Sequence, residues 1–232
     1  MAYASDTYRS PRFIQRYSHR RRFEKSLKLI EKYASLTPGR NFLDFGCADG
    51  HLGAMVKREL PQLHVTSYDP HPDTSPAEGI EIHDSLAGPV ADGAPYGIIG
   101  CFEVLEHLSA ASQEKAVENI RALCGPDSVL IISVPVECGL PGVGKALFRK
   151  MFSRRLAPLY TFRNIVRTFL SRPIPEYRSS DGYLDHIGFY FRDLEPILEK
   201  HFETIETICS PFPLLGRALN SQIFAVLKPK PL

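Results

Sequence analysis

The sequence predicts an α/β fold built on a doubly wound parallel sheet, and three observations carry that prediction. The stretch Asn41-Phe42-Leu43-Asp44-Phe45-Gly46-Cys47-Ala48-Asp49-Gly50-His51-Leu52 opens as a short apolar run ending in an acid. It turns through small residues at Gly46, Ala48 and Gly50 and enters a helical run from His51 to Arg58. Strand, glycine turn and helix together bring bare backbone N–H groups towards a ligand at a helix N-terminus. Asp127 to Val134 is a run rich in β-branched residues, of the kind buried on both faces of a parallel sheet. Between and beyond these stretches, strand-like and helix-like segments alternate.

The 232 residues, 44% of them hydrophobic, suit one sizeable core with an inserted cap. No run reaches the ~18 apolar residues that span a bilayer. Met1 to Asp6 lacks a signal peptide's apolar region. Cys47, Cys101, Cys124, Cys138 and Cys209 are odd in number and have no metal-ligand spacing, which reads as reduced thiols in a cytoplasmic protein.

The net charge of +2 hides an asymmetry. Residues 1–40, a basic arm and helix, hold ten Lys and Arg against three Asp and Glu. Residues 41–138, the core, hold four against fifteen. Residues 139–180, the cap, hold nine against one, and residues 181–232, which return to the sheet, five against seven. An acidic core suits a cationic cofactor; basic flanks suit an anionic partner, among them a phosphate, RNA or a lipid surface.

Taken in order, Tyr3 to Tyr17 alternates basic and aromatic residues as an arm. Ser18 to Leu36 has helical spacing through Phe23, Leu27, Ile30 and Ala34 and stops at Pro38-Gly39. Leu63 to Asp69 reads as the second strand. Pro70 to Pro76 is too proline-rich for a helix, and Gly79 to Asp84 reads as the third strand. Tyr96 to Phe102 is the fourth, followed by a helix from a Ser112 cap to Leu123. Gly139, Pro141, Gly142 and Gly144 read as a flexible lead-in. Two basic amphipathic helices follow, one carrying Leu147, Phe148, Met151 and Phe152, the other Phe162, Ile165, Val166 and Phe169. A helix over Arg192–Lys200 and strands over Phe202–Cys209 and Asn220–Leu227 close the chain. The loop from Ser210 to Leu219 is too short for a parallel crossover, so the last strand enters antiparallel.

The first stretch, with an acid two residues before Gly46, resembles motif I of the class I S-adenosylmethionine (SAM) methyltransferases, with Ala48 at the middle glycine. The resemblance implies a Rossmann-like seven-stranded sheet in the order 3-2-1-4-5-7-6 and SAM as cofactor. It places Asp44, Gly46, Cys47, Ala48 and Gly50 at the methionine end and Asp69 and Pro70 at the ribose. Asp84 and Ser85 fall at the adenine, with Cys101, Phe102 and Glu103 lining the cofactor from the fourth strand.

Glu103, Glu106 and His107 stand at i, i+3 and i+4, on one face if they begin a helix. With His186 they form a candidate set for a divalent cation. Without metal, His107 or His186 suits a general base, with Glu106 beside it. The string Glu-Val-Leu-Glu-His resembles two subfamilies: the small-RNA 3′-end 2′-O-methyltransferases, whose later His-x-x-Phe motif Asp185-His186-x-x-Phe189 partly matches, and the ubiquinone-biosynthesis O-methyltransferases. The reading adopted from these features is O-methylation of a small or lipid-linked acceptor, including anionic ones, by a cytoplasmic enzyme that can touch a membrane through its basic cap. Metal-assisted RNA 2′-O-methylation and non-catalytic SAM binding are its alternatives.

Overall fold

The computed structural model describes residues 13–152, 157–172, 174, 186–216 and 219–231. The arm before Phe13, Arg154, Arg155 and Asp185 therefore lie outside the described residues.

Helix α1 (Phe13–Ala34) begins earlier than the expected Ser18. Strand β1 (Asn41–Phe45), helix α2 (His51–Glu59) and strand β2 (His64–Tyr68) fall where the pattern put them. Strand β3 is only Ile82–His83, shorter than the expected Gly79–Asp84. The residues before it belong to the loop after β2, which is tied to the glycine turn: Asp73 N–H donates to the Ala48 carbonyl at 3.1 Å and Ala77 N–H to that of Asp49 at 2.7 Å. No helix occupies this loop, as its prolines require. A short helix not foreseen, α3 (Ala87–Asp92), precedes β4 (Tyr96–Phe102). A 3-10 turn (Leu105–His107) leads to α4 (Ala110–Ala122) and β5 (Cys124–Pro135). Ser109, not Ser112, caps α4: its hydroxyl accepts the Ser112 N–H at 3.3 Å.

Helix α5 (Gly139–Phe152) corrects the flexible lead-in: Gly139 opens it at a φ of 66°, and Pro141, Gly142 and Gly144 lie inside it. Pro141 sits in the first turn, where no N–H partner is lost. A Cβ on Gly142 would come 2.4 Å from the Glu137 carbonyl oxygen, so glycine is demanded here by close approach. Then come a 3-10 turn (Ala157–Leu159), α6 (Phe162–Phe169), α7 (Phe191–Glu199), β6 (Phe202–Ser210) and β7 (Gln222–Pro229).

The seven strands form one mixed sheet in the order β3-β2-β1-β4-β5-β7-β6. β1 pairs parallel with β2, Asn41 opposite His64, and with β4, Phe42 opposite Ile98. The chain divides into two compact units: Met1–Phe102 with Asn119–Ile131 and Leu227–Leu232, and Glu103–Glu118 with Ile132–Val226. In the first, Ile30, Phe42, Leu43, Ile98, Ile99 and Ile131 are fully buried. In the second, Ile132, Val134, Leu194 and Phe224 are fully buried, with Leu105 and Phe202 nearly so. Burial of a single such side chain contributes about 1.5–3 kcal/mol, so the core supplies the main driving force.

Candidate cofactor cradle and catalytic cluster

The first unit builds a cradle from the end of β1, the turn after it and the tip of β2. Gly46, Ala48 and Gly50 all take positive φ, at 81°, 53° and 74°. Alternate residues in this left-handed region make a tight turn that glycine enters freely and alanine only with strain. Ala48 therefore departs from the glycine pattern in backbone freedom more than in bulk. The Gly46 and Cys47 N–H groups share the Tyr68 carbonyl at 2.7 and 3.1 Å. A Cβ on Gly50 would lie 2.7 Å from Ile80 Cγ2, so the loop after β2 closes directly on the turn.

Asp69 at the tip of β2 is half-buried and holds both segments. Its Oδ2 accepts the Ala48 N–H at 2.8 Å and its Oδ1 the His71 N–H at 2.8 Å. Asp44 is buried at the end of β1, and its Oδ2 has no hydrogen-bond partner; the neighbouring Ser67 hydroxyl is buried without one as well. Burial pushes the Asp44 carboxyl up to about 7, Asp69 and Asp49 add to the rise, and a Gly53 N–H works against it. An ammonium group would restore the ionised form by opposite charge. A buried acid with an unmet oxygen, next to a turn of backbone N–H groups and a second acid, fits the aminoacyl and ribosyl groups of SAM.

The other expected cofactor residues are less uniform. Pro70, Asp84 and Ser85 are exposed, and Ser85 Oγ accepts the Ala87 N–H at 3.4 Å. Cys47 and Cys101 are buried, so they offer backbone rather than side chain; Phe102 is half-buried. Ser67 and Asp49 were missed. Nothing in a β-strand serine or a turn aspartate marks it as buried until β1 and β2 are paired.

The second unit holds an acid–histidine cluster. Glu106 is fully buried. Its Oε1 lies 3.5 Å from His186 Nδ1 and 4.0 Å from His107 Nε2. The imidazole rings meet at 4.2 Å between centroids, tilted by 57°. One ligand atom from each of Glu106, His107 and His186 falls within 4.8 Å of the others. Burial lowers the His186 pKa; Glu137 and Glu103 oppose that shift, and Arg149 and Lys145 reinforce it.

Glu103 does not join the cluster, which corrects the four-residue set. Its φ is 57° and it precedes the 3-10 turn instead of opening a helix, so the i, i+3 relation to Glu106 fails. Its carboxylate accepts Gln222 Nε2–H at 2.9 Å and the Ser133 hydroxyl at 3.5 Å. Sequence reading missed Gln222, 119 positions away, because only the β5–β7 pairing brings it near. It also missed Glu137. This buried carboxylate takes Arg149 Nη1 at 2.6 Å and Lys145 Nζ at 3.0 Å, while Arg149 also donates to the Tyr160 hydroxyl at 3.1 Å. Burial opposes its ionisation, but the two cations overcome that and hold its carboxyl below the usual range.

Among the described residues, no helix is long and apolar enough to cross a membrane. Comparison with known proteins gives the family. A family model described as a methyltransferase domain matches residues 17–195. Ribosomal RNA small subunit methyltransferase C of Pseudomonas fluorescens is 32% identical over 112 residues, 45% of this chain and 33% of that one. Its Pseudomonas putida counterpart is 43% identical over 53 residues, 23% of this chain and 16% of that one. The chain thus spans a third or less of these curated relatives. Among solved structures, a Pyrococcus horikoshii OT3 protein superposes with a TM-score of 0.59 at 14% identity, over 98% of this chain and 96% of that one. Magnesium protoporphyrin IX methyltransferase from Synechocystis PCC 6803, solved with bound S-adenosylhomocysteine (SAH), gives 0.55 at 15% identity, over 94% and 88%. These two likenesses concern the fold. The family match covers most of the chain, and it makes the conclusion plain: the chain belongs to the methyltransferase-domain family.

Proposed function

We propose that the chain methylates a hydroxyl of a small or lipid-linked acceptor, with His186 as general base and Glu106 as the carboxylate that orients it. The supporting observation is the 3.5 Å approach of Glu106 Oε1 to His186 Nδ1 in a buried setting. At this separation the two atoms share no hydrogen bond; a small turn of the ring that closes the gap would hold the proton on Nδ1 and leave Nε2 as the acceptor. The lowered pKa of His186 keeps its imidazole unprotonated near neutral pH, so a ring nitrogen is free to accept a proton. When bound, SAM supplies an electrophilic methyl group on a positive sulfur that leaves as a neutral thioether. Asp44, the turn from Gly46 to Gly50 and Asp69 hold this cofactor; His186 takes the hydroxyl proton; Glu106 fixes the ring. Basic residues at 139–180 favour an acceptor carrying negative charge.

The test supplies methyl-labelled SAM to the protein with separate lipid, small-metabolite and RNA fractions. Label in an ether product of the lipid or metabolite fraction, lost in His186→Gln, supports the reading; label on nitrogen or carbon overturns it.

A second reading has its own support. Two imidazoles and a carboxylate within 4.8 Å are a plausible divalent-metal set, and the curated relatives are named as ribosomal RNA methyltransferases. On that reading the cluster is a metal centre acting on an RNA hydroxyl. Calorimetric titration of Mg²⁺, Mn²⁺ and Zn²⁺ into SAH-saturated protein separates the two. Saturable binding lost in His186→Ala favours the metal; no binding leaves His186 as a base.

A further inference from the structure

A helix covering a water-soluble core turns its apolar side inward. α5 and α6 do so only in part: Ala146 and Ile165 pack on a buried cluster with Tyr160 and Ile187, while most of their large apolar side chains face out. On α6, Asn164 and Thr168 are buried at 8% and 5% exposure, while Phe162 is 82% exposed and Val166 and Phe169 also face out. The buried polar groups are satisfied locally. Asn164 Nδ2 donates to the Leu159 carbonyl at 3.0 Å, Thr168 Oγ1 donates to the Asn164 carbonyl at 2.9 Å, and the Thr161 hydroxyl caps the helix. The orientation is therefore built, with little cost from its inward polar face.

The same arrangement holds on α5. Its inward side is Gly142 and Ala146, together with Lys145 and Arg149 gripping Glu137. Its outward side is Leu147, Phe148, Met151 at 75% exposure and Phe152, with the Phe148 and Phe152 rings 4.7 Å apart. Single exposed apolar residues need no explanation, but these seven on two neighbouring helices, with Leu140 exposed as an eighth, do.

Charge identifies the occupant. No Asp or Glu occurs between Gly139 and Arg172. Lys145 and Arg149 are engaged inside, but Lys150, Arg163 and Arg172 are exposed. A second copy of this face would meet like charge, and Leu147, Met151 and Val166 offer a nucleic acid neither stacking nor hydrogen bonds. Exposed apolar side chains accompanied by exposed cations and no acid match the boundary between anionic headgroups and acyl chains.

We propose that the outward faces of α5 and α6 dock on an anionic lipid bilayer. Leu147, Phe148, Met151, Phe152 and Phe162 enter the acyl boundary, and Lys150 and Arg163 meet lipid phosphates. The proposal deepens the lipid-linked reading of the acceptor and rests on it for its purpose. Docking itself is read without donor or acceptor, so either can fail alone.

The experiment floats the full chain with vesicles of phosphatidylcholine, with or without phosphatidylglycerol. The variants are Met151→Ser/Phe162→Ser and Lys150→Glu/Arg163→Glu, all at exposed positions. Wild type should rise with the anionic vesicles. The first variant should lose at least about tenfold in partitioning, because several buried CH₂ equivalents are removed. The second should lose the preference for phosphatidylglycerol, as should wild type in high salt. Wild type remaining in the soluble fraction, or both variants floating like wild type, overturns the proposal. So does a dimer in solution that Met151→Ser/Phe162→Ser converts to monomer without any vesicle binding. Methyl transfer assayed on the same preparations with a detergent-dispersed acceptor shows whether the acceptor reading fails separately.

Discussion

Asp69 Oδ2 accepts the Ala48 backbone N–H at 2.8 Å, so the acid at the tip of β2 clamps the turn after β1. Its other oxygen takes the His71 N–H and fixes the loop behind it. One carboxylate thus shapes both walls of the cradle and retains lone pairs for a ligand. Asp69→Ala should cost about 1.5–3 kcal/mol for each charge-assisted bond lost and weaken SAH binding at least tenfold. Calorimetry against SAH and thermal unfolding of the same variant check both effects. Unchanged affinity would remove Asp69 from the cradle.

Asp44 carries a sign that can be tested. Its folded pKa, about 7, lies above its ordinary 3.8. Between those values the folded state binds a proton that the unfolded state has released, so this group's contribution falls as pH rises. Three units correspond to roughly 4 kcal/mol at most, an upper figure for a buried carboxyl. Asp44→Asn should therefore match wild-type stability near pH 4 and exceed it above pH 7, while losing SAH affinity. Chemical unfolding of both proteins across that range measures the difference. A constant difference at all pH values would contradict the assigned pKa.

Ala48 sits at φ 53°, where an L-residue is strained by roughly 1–2 kcal/mol. Ala48→Gly relieves the strain but returns freedom to the unfolded chain. The net expectation is a gain of about 0.5–1 kcal/mol with SAH affinity retained. A destabilised Ala48→Gly would mean that the turn is not held as described.

Glu137 gathers Lys145 and Arg149 in a buried setting. Glu137→Ala leaves two cations without their counter-ion and should cost about 3–5 kcal/mol. Adding Lys145→Ala and Arg149→Met should recover part of that loss. Additive losses across the cycle would show that the groups do not act as a unit.

The sheet was legible because its signals are local. The apolar run into Gly46, the β-branched run into Val134 and the apolar run from Tyr96 to Phe102 each declare a strand within a few residues. β3 was overdrawn because Gly79–Glu81 has strand-like composition, yet Gly79 takes a φ of 74° and the Ile80 N–H donates to the Ala77 carbonyl, so the stretch turns within the loop. The lead-in to α5 misled because glycine and proline usually break helices; here Gly142 answers a close backbone approach that no local pattern reveals. The places of Asp44 and Asp69 at strand ends were legible in the same local way, while their part in holding a cofactor is the proposal. Removing Glu103 from the acid–histidine cluster required knowing that Gln222 and Ser133 hold it. The inward polar face of α6 was equally hidden, because periodicity finds an amphipathic helix but not the direction it faces.

The most direct test is transfer of labelled methyl from SAM to a lipid extract by wild type and His186→Gln, with SAH affinity measured on both. The account predicts equal affinity and transfer reduced at least about a hundredfold, the loss expected for a general base. It also predicts that wild-type transfer reaches its plateau below the ordinary histidine range, because burial lowers the His186 pKa. Full transfer by His186→Gln, or label reaching no hydroxyl in any fraction, would contradict it.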